Sequence, residues 1–138
     1  AEIFGRYGGM VDLFVLCVDR DCEPHRCDVL RDRERWARDQ YDAALIGENA
    51  WQEIEVWVLA GHDLPSEWVW AEVRRERDPK EMYFLPFAQR RGLLETPGEG
   101  RKVLAEEAAR RFSRVKHLCP EDVAVLVSAV GRWLDAMA

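Results

Sequence analysis

The stretch Val11-Asp12-Leu13-Phe14-Val15-Leu16-Cys17-Val18 is apolar but for one aspartate, and it stops abruptly at Asp19-Arg20-Asp21. A short run of this kind predicts a central parallel strand, covered on both faces. The stop puts two carboxylates at the strand's carboxyl end, and Cys22-Glu23-Pro24-His25 reads as a loop. With 138 residues, the chain has room for one domain around one core.

The remaining pattern alternates strand and helix, which predicts α/β architecture with a mostly parallel sheet flanked by helices. A charged helix is expected from about Arg26 to Tyr41, on the thin stripe of Val29, Leu30, Trp36, Ala37 and Tyr41. Ala43 to Ile46 reads as a second strand. Asn49 then reads as the cap of a helix from Ala50 to Ala60 that buries Trp51, Ile54, Trp57 and Val58 and ends at Gly61. Residues 1–61 therefore form the α/β core, and residues 62–138 a helical C-terminal extension packed on it. In the extension, Pro65-Ser66 opens one helix and Asp78-Pro79 another, which Pro86 should kink or end. After the loop Thr96-Pro97-Gly98-Glu99-Gly100, helices are expected from Arg101 to His117 and from Glu121 to Met137, the second favoured by the acidic residues at its start. Strand, helix, strand makes a narrow sheet, so one or two further β-α units are expected upstream of Ala1.

Composition narrows the function. No apolar run approaches the roughly 20 residues that span a bilayer, and the N-terminus lacks a signal-peptide pattern, so a cytoplasmic protein with reduced cysteines is expected. The net charge of -6 argues against a general polyanion binder. Basic residues are nevertheless clumped at Arg74, Arg75 and Arg77, at Arg90 and Arg91, and at Arg110, Arg111, Arg114 and Lys116. These are either solvated helix faces or a basic rim beside an acidic pocket.

The acidic pair carries the chemistry. Two residues apart in a continuing strand, Asp19 and Asp21 point the same way, at the sheet edge where open α/β folds bind ligands. Carboxylates crowded there repel unless a cation joins them, and hard oxygen donors favour magnesium or manganese. The bland alternative is a solvated acidic loop. Cys22, His25 and Cys27, with Cys17 or Cys119, offer a zinc alternative without a recognised spacing. A haloacid-dehalogenase-type phosphatase also starts from Asp-x-Asp, but Cys22-Glu23-Pro24 and the isolated Asp63 do not continue its pattern. Ser66, Ser113 and Ser128 sit in helical patterns with no nucleophile elbow. The tryptophans, Trp51, Trp57, Trp68, Trp70 and Trp133, read as packing residues.

An apolar strand ending in Asp19-Arg20-Asp21 resembles the Asp-x-Asp half of a Toprim domain, shared by topoisomerases, primases and the OLD (overcoming lysogenisation defect) nucleases. Gln52 to Ala60 (QEIEVWVLA), Asp78-Pro79-Lys80-Glu81 and Gly98-Glu99-Gly100-Arg101-Lys102 resemble a Toprim-related bacterial family associated with phage defence. The resemblance covers the chain from about Met10 onward. It implies a magnesium-dependent (or manganese-dependent) nuclease of nucleic-acid phosphodiesters. Asp19, Asp21 and Glu55 would be the metal ligands, and Lys80 would neutralise the phosphate. Glu53 cannot share a helix face with Glu55 and reads as a surface carboxylate. Lys102 resembles a phosphate loop only loosely. Toprim domains also carry a glutamate after their first strand; Glu2 does not match it, so that glutamate is expected upstream, and this chain alone should cleave little or nothing. Nucleic acid, a partner ATPase and a second copy of the chain are the candidate partners, and no membrane association is expected. A non-catalytic interaction subunit and a small-molecule phosphotransferase are the alternative functions.

Overall fold

A computed structural model describes residues 1–138. After a short helix α1 (Glu2–Tyr7), the apolar run forms β1 (Phe14–Asp19), and helix α2 (Arg26–Tyr41) crosses over to β2 (Leu45–Ala50). The strands pair in parallel, in register from Phe14 opposite Leu45 to Asp19 opposite Ala50. This is one β-α-β unit.

The sheet has only these two strands, so β1 is not a central strand covered on both faces: Val15 and Leu16 are 49% and 38% exposed. The outer edge of β2 is closed by side chains of α2. Glu34 accepts a hydrogen bond from the Gly47 N–H at 2.7 Å, and Arg31 donates to the Gly47 carbonyl. Side chains thus take the backbone groups that a third strand would have used there.

β2 also runs four residues beyond its expected end at Ile46, and it contains Asn49 rather than ending before it. Asn49 and Glu48 are 5% exposed, so polar residues fill a buried strand end. Each finds a partner there: the Glu48 carboxylate accepts from the Asn49 N–H at 3.0 Å, and Cys27 Sγ lies 3.2 Å from Asn49 Oδ1. Helix α3 is therefore short, Glu55–Ala60, and follows a loop through Gln52, whose φ is 69°. Its buried face is Val56, Leu59 and Ala60, whereas Trp51, Ile54, Trp57 and Val58 are only half-buried.

The second half is helical, as expected: α4 (Trp70–Arg75), α5 (Leu85–Arg90), α6 (Arg101–Ala109), α7 (Phe112–Leu118) and α8 (Val123–Met137). Pro65-Ser66 does not open a helix; α4 starts at Trp70. Pro86 does not end its helix either, because a π-helical turn at Lys80–Phe84 precedes it and α5 carries the proline in its first turn. A widened turn accommodates the missing N–H and the ring. The expected helix from Arg101 to His117 breaks at Arg110-Arg111 without glycine or proline. The break turns Val115 and Cys119 into one core cluster with Ala60, Ala108 and Val123. A second cluster joins Leu59 to Val73, Phe84, Phe87, Ala88 and Leu104. Both cores draw on α3, so the extension packs on the α/β unit. All four cysteines are free, and no helix is long and apolar enough to cross a membrane.

Candidate functional site at the carboxyl edge of the strands

Asp19 is the last residue of β1, and its Oδ1 accepts the Ile54 N–H at 2.7 Å. That bond ties the end of β1 to the entry of α3, whose first residue is Glu55. The next loop residue back, Glu53, reaches the other way: its Oε2 accepts the Lys80 N–H at 2.8 Å. Lys80 heads the helix after Asp78-Pro79, where first-turn N–H groups lack intrahelical partners. The strand end, the α3 entry and the Lys80 helix start are thus joined by two carboxylates.

These carboxylates are short of positive charge. Partial burial pushes Asp19 above the usual aspartate range, against the Ile54 hydrogen bond, and the charges of Glu55 and Asp21 raise it further. Burial likewise raises Glu53, opposed by the Lys80 N–H and reinforced by Glu55, Glu81 and Asp19. Glu55 has one cation, Arg101, whose Nε lies 3.1 Å away. Arg101 also holds Glu99 at 3.0 Å. It stands at the start of α6 because Gly100 takes φ 80°, and a Cβ at Gly100 would lie 2.6 Å from Leu93 Cβ.

Asp21 departs from expectation. The chain leaves the strand after Asp19, and Asp21 takes a left-handed φ of 51°. The strand alternation that would align it with Asp19 therefore does not reach it, although its charge still acts on Asp19. Its carboxylate is exposed and lies 3.4 Å from the Arg26 guanidinium. The Arg26 Nε, in contrast, is buried without a hydrogen-bond partner.

Of the residues the sequence nominated, Asp19 and Glu55 come together, and the Lys80 backbone joins them through Glu53. Asp21 is exposed and paired with Arg26, beyond the end of the strand. The anion at the Lys80 helix start is Glu53 of the same chain, which takes the Lys80 N–H. Glu53, Arg101 and Arg26 were not among the nominated residues. Glu53 had a readable signal in the orphan N–H that follows Asp78-Pro79; Arg101 lay in the Gly98–Lys102 stretch, beside the lysine that drew attention. No group of three or more His, Cys, Asp or Glu side chains is arranged to hold a metal ion as the side chains stand. That covers Cys22, His25 and Cys27, whose side chains turn to Gln52, Asp28 and Asn49 respectively.

A second polar centre lies behind the loop. Asp122 is fully buried and receives the Trp51 N–H and Trp57 Nε1–H, each at 2.7 Å, the Val123 N–H at 3.0 Å and two bonds from Arg74 at 3.1 Å. Trp51 stacks between Arg20, at 4.4 Å from the ring centroid, and Arg74, at 5.8 Å. Asp122 thereby fixes the loop that carries Glu53. No protein-family model, no curated protein and no solved structure matches this chain.

Proposed function

We propose that the carboxyl edge of β1 and β2 binds a divalent cation, magnesium or manganese, and serves Toprim-like cleavage of nucleic-acid phosphodiesters in phage defence. The observation that carries this reading is that partial burial and repulsion from Glu55 raise both Asp19 and Glu53, while the one ion pair of Glu55 is to Arg101. A hard dication relieves that repulsion, and the donors are all oxygen. The ion, when bound, polarises a phosphoryl group.

The chain's own residues do the rest. Asp19 keeps its backbone bond through Oδ1 and offers Oδ2. With Asp19, Glu55 would hold the ion, and its present partner Arg101 would supply positive charge beside the phosphoryl group. Glu53, raised above the ordinary glutamate range by partial burial, is the carboxylate suited to accept and return a proton. The partly exposed Arg26 guanidinium and the Lys80 ammonium are the groups to hold phosphate oxygens.

The test is cleavage of end-labelled DNA and RNA by the full natural chain, in magnesium or manganese against chelator. Cleavage should need the metal and disappear in Asp19→Asn and Glu55→Gln. Undiminished cleavage in Asp19→Asn, or none at all by the full chain, would overturn the reading.

One observation favours a second reading, an interaction subunit that docks a partner protein. Helix α8 leaves Val125, Leu134 and Met137 at 45%, 56% and 63% exposed. A folded, metal-indifferent protein that copurifies with a stoichiometric partner would fit that reading instead.

A further inference from the structure

The end of α3 away from Asp19 opens on a cleft of about 360 Å³, lined by Gly61, His62, Asp63, Phe87, Arg91, Glu107, Arg110 and Arg111. We propose that this cleft is a binding site for a phosphate group, held by Arg91, Arg110 and Arg111 over the His62 ring.

The local sequence builds it. Gly61 ends α3 where a Cβ would stand 2.5 Å from Ala108, so only glycine lets α6 lie against this end of the helix. The break between α6 and α7 then places Arg110 and Arg111 in succession at the cleft wall. His62 is 5% exposed and fixed: Nε2 lies 2.9 Å from the Leu104 carbonyl and Nδ1 3.6 Å from Glu107. Phe87 is the one apolar lining residue, which rules out a site for an apolar ligand.

The charges favour an oxyanion. Three arginines face two carboxylates, and the carboxylates position two of the three, Arg91 and Arg111. Glu107 takes Arg91 in two bonds of 2.9 Å. Asp63 takes Arg111 at 3.3 Å and Arg114 at 2.6 Å. These hydrogen bonds hold Asp63 and Glu107 below the ordinary carboxylate range, so both stay ionised as fixed counter-charges. A guanidinium has five N–H donors. Arg91 commits two of them and Arg111 one, while the Arg110 side chain makes no hydrogen bond within the protein. Oriented guanidiniums with unused donors match phosphate oxygens in geometry as well as charge.

The site does not depend on the nuclease reading. A polynucleotide backbone and a small phosphorylated molecule offer the same group, and the cleft lies about 9 Å along α3 from Glu55 at 1.5 Å per residue. The experiment follows melting temperature in sodium phosphate against sodium chloride of equal ionic strength. Phosphate should stabilise saturably beyond chloride. The double variant Arg110→Ala plus Arg111→Ala should bind on the order of tenfold more weakly or worse, while Arg75→Ala, outside the cleft, should bind as wild type does. General stabilisation by phosphate exclusion survives in every variant and so separates from binding. Arg110→Lys keeps the charge without the fork, and should bind between wild type and the double variant. A short single-stranded oligonucleotide that competes with phosphate identifies a polynucleotide as the source; competition by a nucleoside monophosphate alone identifies a small molecule, and either supports the site. A phosphate effect equal to chloride, or one unchanged in the double variant, overturns it, and shows an ion-pair network that only ties α3, α5, α6 and α7 together.

Discussion

Asp19 and Asp122 are aspartates on opposite sides of one loop, and their surroundings differ in kind. Asp122 is fully buried and receives five hydrogen bonds, two of them from a buried arginine. Asp19 receives one backbone bond and faces other carboxylates. A buried carboxylate with all its acceptors satisfied has nothing left to offer a ligand, and its place is in the scaffold. A half-buried carboxylate among like charges costs stability unless something further binds, which marks a functional position. The loop Trp51–Ile54 makes both possible, because Asp122 holds its front and Asp19 its back.

That contrast is open to attack by mutation. Asp122→Ala removes the partner of buried Arg74 and should destabilise by about 3–5 kcal/mol, read from the urea midpoint; a loss under about 1 kcal/mol would remove Asp122 from the scaffold. Trp57→Phe deletes one of its donors, and about 1–2 kcal/mol is expected. Asp19→Asn keeps an acceptor for the Ile54 N–H while deleting a repelled charge, so stability at neutral pH should move by no more than about 1 kcal/mol. The pH dependence sharpens the difference. Asp19 and Glu53 sit above their ordinary values of 3.8 and 4.5 when folded. Folding therefore favours their protonated forms. The stability they contribute is complete below those values and is lost as pH rises through the raised ones. Wild type should thus lose stability relative to Asp19→Asn plus Glu53→Gln as pH climbs from about 4 towards neutrality. An unchanged difference across that range would show that neither group is perturbed.

The sequence made the scaffold legible in part, and the reasons differ from residue to residue. The β1 run was readable as a strand because a short apolar run with a sharp polar end is a strand signal. The two-sided burial it implied is absent, since only one further strand pairs with it. Its neighbour β2 was misplaced because Glu48 and Asn49 are polar residues whose partners, their own backbone and Cys27, come from the fold. Asn49 in particular has the chemistry of a helix cap. Asp122 was read only as an acid favouring a helix N-terminus, which it is, since it accepts from Val123. Its five-donor environment comes from residues 48 to 71 positions away as well as from its neighbour, and no local pattern shows that. At the strand edge, the approach of Asp19 to the α3 entry followed from the end of β1, but the alignment of Asp21 with Asp19 needed a strand that in fact ends two residues before it. The pairing of Arg101 with Glu55 was not legible, because it required the turn at Gly100.

The most direct test is the response of thermal stability to manganese or magnesium, with wild type, Asp19→Asn and Trp57→Phe measured side by side. Wild type should gain stability saturably, by about 1.4 kcal/mol at ten times Kd, or roughly 3–6 °C in melting temperature. Trp57→Phe should start lower and show the same gain, since it weakens the scaffold and leaves the carboxylates in place. Asp19→Asn should start near wild type and show little or none. A wild-type melting temperature that does not move up to about 10 mM metal, or an equal gain in Asp19→Asn, would contradict a cation site at this edge.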